Sequence, residues 1–145
     1  MSELAIRRAA ERDAPRLADL SGVLGYPSAA AELGARLERL LASSQDLVLV
    51  AESATGQVVG WLHGAEQELL ESGRRCEILG LVIDPEHRGR GIGRCLVSAV
   101  EAWARGRGLE QMTVRSNVAR TESHPFYERL GYARAKTQHA YRKRL

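Results

Sequence analysis

The sequence predicts a mixed α+β (α/β) fold: a central, mostly antiparallel, twisted sheet flanked by about four helices. Three observations carry this. Short apolar runs with two-residue alternation recur through the first 83 residues, the pattern of half-buried strands. Residues 78–83 form a continuous apolar run, and the turn Asp84-Pro85-Glu86 and the glycine-rich segment Arg88-Gly89-Arg90-Gly91-Ile92-Gly93 lead from it into an amphipathic stretch. Strand–helix–strand units are not repeated, so a doubly wound dinucleotide fold has neither the room nor the pattern. At 145 residues the chain fits a single domain, 1–145, with a real core.

The elements follow in order. Residues 4–7 alternate as a short first strand, and a helix follows from about Pro15, with Leu17, Leu20, Val23 and Leu24 at helical spacing. Gly25-Tyr26-Pro27 interrupts it. Ser28 is placed to cap a second helix over residues 29–42, whose Leu33, Leu37, Leu40 and Leu41 share one side. Residues 46–52 read as a strand, Thr55-Gly56-Gln57 as a hairpin turn, and residues 58–64 as the returning strand. The polar stretch 66–75, with Gly73, suggests the end of a hairpin before a central strand at 76–83. A central helix at 91–106 carries Ile92, Leu96, Val97, Val100 and Trp103 on one face and ends at Gly106-Arg107-Gly108. A strand fits residues 111–115. A short helix fits 125–130, starting late because Pro125 suits a first turn and stopping at Gly131. Residues 118–124 are then a loop, and residues 132–144 supply one or two closing strands.

Apolar residues make up 44% of the chain and charged residues 27%, ordinary for a water-soluble domain. No apolar run approaches membrane-span length and residues 1–20 lack a signal-type apolar region, so a cytoplasmic location is expected, with no membrane partner. Cys76 and Cys95 form neither a disulfide framework nor a metal-ligand cluster; both read as packing residues, and no metal is expected. The net charge of +3 conceals a division: residues 1–87 hold 8 basic and 14 acidic side chains, residues 88–145 hold 13 and 4. This is either segregation of solvated faces or a basic side for an anionic cofactor opposite an acidic side for a cationic substrate. Aromatic residues are 5% of the chain and no stacking motif accompanies the arginines, so nucleic acid is not an expected partner.

Strand, glycine-rich turn and helix form a phosphate-cradling arrangement, because backbone N–H groups at a helix start converge where the helix dipole favours negative charge. Neither Gly-x-Gly-x-x-Gly nor a Gly-Lys-Ser/Thr ending is present, and a plain glycine-rich turn with exposed arginines is the alternative reading. Arg88 and Arg90 are suited to pairing with phosphate oxygens. The run Val82-Ile83-Asp84-Pro85-Glu86-His87-Arg88-Gly89-Arg90-Gly91-Ile92-Gly93 resembles the acetyl-coenzyme A signature of the GCN5-related N-acetyltransferase (GNAT) superfamily, Arg/Gln-x-x-Gly-x-Gly/Ala, through Arg88, Gly91 and Gly93. Asn117 and Phe126-Tyr127-Glu128-Arg129-Leu130-Gly131-Tyr132 match a second element in family order. The resemblance covers essentially the whole chain and implies a GNAT-like acyl-CoA N-acyltransferase fold with acetyl-CoA as co-substrate. It further implies that Arg88, Gly89, Arg90, Gly91, Ile92, Gly93 and Arg94 cradle the pyrophosphate. Backbone groups of Leu81, Val82 and Ile83 would pair with pantetheine, and Asn117 would lie beside the cofactor where two parallel strands splay.

Making an amide from a thioester requires a neutral amine, an oxyanion donor and a proton for the departing thiolate. Tyr127 matches the family tyrosine that protonates the sulfur; on residue chemistry alone it reads as a core tyrosine with its hydroxyl at the edge. The N–H of Val82 or Ile83 is the oxyanion donor by the same resemblance. Glu77 is the first choice for base; two-residue alternation puts it on the side of Leu79, Leu81 and Ile83, and a solvated strand-end acid is the alternative. His124 is the rival base; His87 reads as a turn residue, while His63 and His139 show no partner in the sequence. The expected function is direct acetyl transfer from acetyl-CoA to a primary amine in a ternary complex. A small cationic amine is favoured, with Glu66, Glu68 and Glu71 at the rim of its cleft. A peptide amine and a non-catalytic acetyl-CoA sensor are the alternatives. Relatives commonly pair through sheets or C-terminal strands, so a homodimer is expected by resemblance.

Overall fold

Alternation of apolar and polar residues builds the sheet in the computed structural model, which describes residues 4–23, 25–116 and 123–145. The strands are β1 (Ala5–Arg8), β2 (Asp46–Glu52), β3 (Val58–Leu69), β4 (Gly73–Ile83) and β5 (Met112–Val114), and they lie side by side in chain order. Every pair is antiparallel except β4–β5, which is parallel. The helices are α1 (Ala14–Val23), α2 (Ala30–Ala42), α3 (Ile92–Gly106) and α4 (Ser123–Arg129). Contacts divide the chain into two units, Met1–Val114 and Arg115–Leu145; the sheet and the first three helices belong to the first, α4 to the second. No helix among the described residues is long and apolar enough to cross a membrane.

The two faces of β3 carry different cores. Gly60, Leu62 and Gly64 face α3: a Cβ at Gly64 would lie 2.7 Å from Val100 Cγ2, and one at Gly60 3.5 Å from Ile92 Cγ2. Helix α3 buries Ile92, Leu96, Val97 and Val100 as read from the sequence, but Ala104 takes the place expected of Trp103, which is half-buried with the Arg107 guanidinium 4.7 Å over its ring. Trp61 belongs to the opposite face, where Leu17, Leu20 and Leu37 of α1 and α2 pack with Val48, Val50 and Val82.

A partly buried ionic cluster fastens β1 to the turn before α1 and to β2. Arg7 donates from Nη1 and Nη2 to the two carboxylate oxygens of Asp13, at 2.9 and 3.0 Å, and from Nε to Glu52 at 3.0 Å. Asp13 also accepts the Ala10 N–H at 2.7 Å, closing the turn ahead of α1. These bonds hold the Asp13 carboxyl below its usual range despite burial.

Several boundaries differ from expectation. The β3–β4 hairpin runs out to Leu69 and Gly73 because its polar residues pair across the strands: Glu68 lies opposite Arg74, and Arg74 donates to Glu66 at 2.9 Å. Ala29, not Ser28, holds the N-cap position of α2; the Ser28 hydroxyl accepts from Arg36 instead. Helix α4 begins at Ser123, so Ser123 and His124 are helical rather than loop. Pro125 is then its third residue, where no intrahelical N–H bond is required. Residues 133–145 carry no strand; they are exposed, and their small alanines alternate with basic side chains, offering little to bury. Cys76 is buried, which pushes its thiol up to about 11, whereas Cys95 is exposed and is not a packing residue.

The Asp13 cluster makes a prediction. Its folded carboxyl titrates below the unfolded one, so its contribution is complete above the ordinary carboxylate range and is lost as pH falls through the folded value. Asp13→Asn is expected to cost about 2 kcal/mol at pH 7. In urea denaturation the gap from the parent protein should narrow steadily below about pH 4.

Candidate active site

The register of β3 against β4 decides what faces what. His63 pairs with Gly80 and Gly64 with Ile78, leaving Leu79 without a partner: a β-bulge. Trp61, His63 and Ala65 share one face of β3, so their partners Val82, Gly80 and Glu77 share it too. Glu77 therefore lies on the α1–α2 side and not with Leu81 and Ile83, because the extra residue reverses the alternation. It is 5% exposed, and its Oε1 accepts from Thr113 Oγ1 at 3.2 Å and from Arg75 Nη2 at 3.3 Å.

The bulge also marks where β4 and β5 part. Their parallel pairing covers only Cys76, Ile78 and the Glu77 between them. Beyond it, among the described residues, no strand pairs the β5-side edge of residues 79–83. Among these residues Leu81 and Ile83 turn their backbone donors and acceptors to this edge, whereas Val82, expected with them, is a hydrogen-bonded pair with Trp61 and turns its N–H and C=O to β3.

After β4 the chain makes a 3₁₀ turn, Pro85–His87, fastened through Asp84. The Asp84 carboxylate accepts the Glu86 N–H at 3.1 Å and an Arg16 guanidinium bond at 2.7 Å, which together hold it below the usual range. Arg16 also donates to the Val58 carbonyl, so the turn is anchored to α1 and β3. Gly89 and Gly91 have φ of +77° and +78°, the left-handed region that glycine enters without strain. Gly91 is the N-cap of α3, and the Cys95 N–H makes the first bond back to its carbonyl. The N–H groups of Ile92, Gly93 and Arg94 precede that bond and have no intrahelical acceptor. Ile92 and Gly93 are buried, while Arg88, Arg90 and Arg94 are exposed around this helix start.

On the α1–α2 face lies a cavity of about 330 Å³. Its walls come from Leu17 of α1, Leu33 and Leu40 of α2, Trp61 of β3 and the bulge residues Leu79 and Gly80, with Arg36 and His63 as its cationic or titratable members. A Cβ on Gly80 would lie 2.8 Å from Cη2 and Cζ3 of Trp61, so the indole packs directly over this glycine. Glu66, expected at an acceptor rim, is engaged elsewhere: Arg74 and Arg107 donate to it at 2.9 and 2.8 Å and hold its carboxyl below the usual range. None of Glu66, Glu68 and Glu71 lines the cavity.

The second unit holds Tyr127. Its ring meets Phe126 and Tyr132 edge-to-face, with centroids 5.0 and 5.9 Å away, and burial raises its hydroxyl pKa. Bonds from the Gly131 N–H to Glu128 and from the Tyr132 N–H to Tyr127 close the end of α4. Asn117 lies outside the described residues. Two features escaped the sequence reading: Arg36 on the cavity and a hydrogen bond between His63 and Asp46, Nε2 to Oδ1 at 2.8 Å. Counting the β2–β3 register back from the hairpin turn would have placed those two on one face, but a second irregularity at Ala51/Glu52 spoils the count.

Among the described residues, an open strand edge thus runs into an arginine-ringed helix start that no side chain caps. The model of the acetyltransferase (GNAT) family matches residues 6–132, and the chain belongs to that family. An aminoglycoside N(6')-acetyltransferase type 1 of Stenotrophomonas maltophilia is 28% identical over 131 residues, 88% of this chain and 84% of that protein. A mycothiol acetyltransferase of Thermobispora bispora is 36% identical over 96 residues, 65% of this chain; the match spans only 32% of that longer protein. The aminoglycoside N-acetyltransferase AAC(6')-Iy, solved in complex with CoA, shares the fold with a TM-score of 0.89 and 21% identity, covering 100% of this chain and 97% of that one. An acetyltransferase of Trypanosoma brucei gives a TM-score of 0.82 at 26% identity, over 97% of this chain and 100% of that one.

Gly80→Ala should force the Trp61 ring to shift, at a cost of about 1–3 kcal/mol. Urea denaturation reads the loss, and a changed tryptophan emission spectrum in the folded protein reads the displacement.

Proposed function

We propose that the chain transfers the acetyl group of acetyl-CoA to a primary amine of a small molecule, by direct attack in a ternary complex. One observation carries the reading. The open β4 edge at residues 79–83 and the unbonded N–H groups of Ile92, Gly93 and Arg94 are joined by a turn held rigid through Asp84 and Arg16. An amide-bearing arm that ends in a diphosphate suits that sequence of groups: strand-like pairing with Leu81 and Ile83, then a helix N-terminus flanked by Arg88, Gly89, Arg90 and Gly91. The aminoglycoside acetyltransferase relative and the solved complex of AAC(6')-Iy with a CoA-linked acetylneamine analogue support the same class of reaction. A half-open cavity of about 330 Å³ on the α1–α2 face favours a small acceptor over a peptide, which needs an extended groove.

Acetyl-CoA supplies an activated thioester. The residues of the chain have the remaining tasks. Leu81 and Ile83 fix the arm, and the N–H of Ile83 is the donor assigned to the oxyanion, since that of Val82 pairs with β3. As the new C–N bond forms and the C–S bond breaks, the Tyr127 hydroxyl gives its proton to the leaving sulfur. Burial suits it to this, because a raised pKa keeps the hydroxyl protonated at neutral pH. In this reading the protein works in the cytoplasm, as a monomer or a homodimer.

Calorimetric titration with acetyl-CoA, followed by thiol release in the presence of amines, tests the reading; a folded protein that does not bind acetyl-CoA would overturn it. Tyr127→Phe is expected to lower kcat about 100-fold with acetyl-CoA affinity unchanged. The parent protein should lose activity as pH rises through the raised tyrosine pKa, and the variant should lack that alkaline limb.

A further inference from the structure

Granted the acetyl transfer proposed above, we infer that the cavity selects an acceptor with one ammonium on an apolar, ring-sized body, and not a polycation. Leucines of α1 and α2, Val48, Leu79 and the Trp61 ring make up most of its surface. Among the described residues no carboxylate lines it, and the Arg36 guanidinium is the permanent charge. Arg36 is held at the rim by the Ser28 hydroxyl at 3.3 Å and by Glu32 at 3.8 Å. One ammonium can lie against the electron-rich faces of Trp61 and Tyr26. A second or third would be stripped of water among leucines or brought toward Arg36, with nothing to pair it. The volume, about 330 Å³, is at the small end for ligand sites and suits a single ring system better than a multi-ring aminosugar.

Thiol release with phenethylamine, tryptamine, spermidine and kanamycin tests this. The two arylalkylamines should exceed the polycations in kcat/KM by about 100-fold or more. Leu79→Glu, at a position 46% exposed where the fold tolerates charge, places a carboxylate at the cavity and should shift that ratio at least tenfold toward spermidine. Equal or better turnover of spermidine or kanamycin by the parent protein overturns the inference. If acetyl-CoA binds and no amine is acetylated, the transfer reading fails. Calorimetry with phenethylamine then decides the cavity separately: binding that Leu79→Glu weakens supports the ligand class, and no binding overturns it.

We further infer, from a different observation, that His63 accepts the proton of the acceptor's ammonium. His63 lines the cavity beside Gly80, and its Nε2 lies 2.8 Å from Asp46 Oδ1. Asp46 is itself held by the Ser43 hydroxyl, which donates to Oδ2 at 2.7 Å. A carboxylate at Nε2 places the ring proton there and leaves Nδ1 as the acceptor. The charged and titratable groups around it are Asp46 of β2, Arg36 of α2, Tyr26 between the helices, and Arg75 and Glu77 of β4; α1 contributes Leu17 and Ser21. Glu77 is not among the cavity's lining residues, and its Oε1 already accepts from Thr113 and Arg75. The ammonium gives one proton to His63, which passes it to solvent. The neutral amine then attacks the carbonyl, and its surplus N–H proton balances the one that leaves on the thiol.

His63→Gln and His63→Asn should lower kcat about 100-fold for phenethylamine, with acetyl-CoA binding retained by calorimetry, and should remove the acidic limb of the pH profile. Trifluoroethylamine, largely neutral at pH 7, should be acetylated by parent and variants at nearly the same rate. An unchanged pH profile, or an equal deficit with both amines, overturns the assignment.

Discussion

One unpaired residue organises the active face of this protein. Leu79 interrupts the β3–β4 ladder, and the interruption does three things. It puts Glu77 on the α1–α2 face. It coincides with the end of the β4–β5 pairing, so that the last residues of β4 have an open edge. It also brings Leu79 and Gly80 to the wall of the cavity on the opposite side from α3. The bulge converts a structural strand into a surface able to pair with an extended ligand, and it does so without loosening the strand's other edge, which stays bonded to β3.

Most carboxylates near the sheet are already committed to arginines. Asp13 and Glu52 hold Arg7, Asp84 holds Arg16, and Glu66 holds Arg74 and Arg107. The first two sets fasten the chain around α1, where burial makes a lost partner costly. The third is solvent-exposed and contributes mainly by ordering the hairpin against the end of α3. This internal pairing is why an acidic N-terminal half does not yield an acidic cleft. Arg88, Arg90 and Arg94, in contrast, stand exposed around the start of α3, where an anion would meet both their charge and the helix dipole.

Much of the fold was legible because its signals are local. Strand β2 agrees residue for residue with the reading, and α3 differs by one residue, because apolar periodicity and flanking glycines suffice to mark them. The glycine-rich turn was legible for the same reason. The errors are of another kind. Ser28 had the right chemistry for a cap but stands one residue too early, and Pro125 permits a helix to begin two residues before it. Glu77 was given the wrong face because a bulge is invisible to a count of alternating residues. The link between His63 and Asp46 depends on the register of two strands, so a search for local motifs passes over it. Charge totals misled most, since they record which half of the chain a carboxylate belongs to and not which arginine it meets.

The labour within the first unit is divided between elements. Helix α2 supplies Leu33, Arg36, Leu37 and Leu40 to the cavity, while the open edge and the glycine turn come from β4 and the start of α3. A lineage carrying this architecture can therefore change its diet by drift along a single exposed helix, one turn at a time, and leave the donor grip inherited intact. Two descendants could then diverge in what they modify while keeping the same glycine turn, and the cavity-lining face of α2, rather than the conspicuous signature, is where their histories would be written.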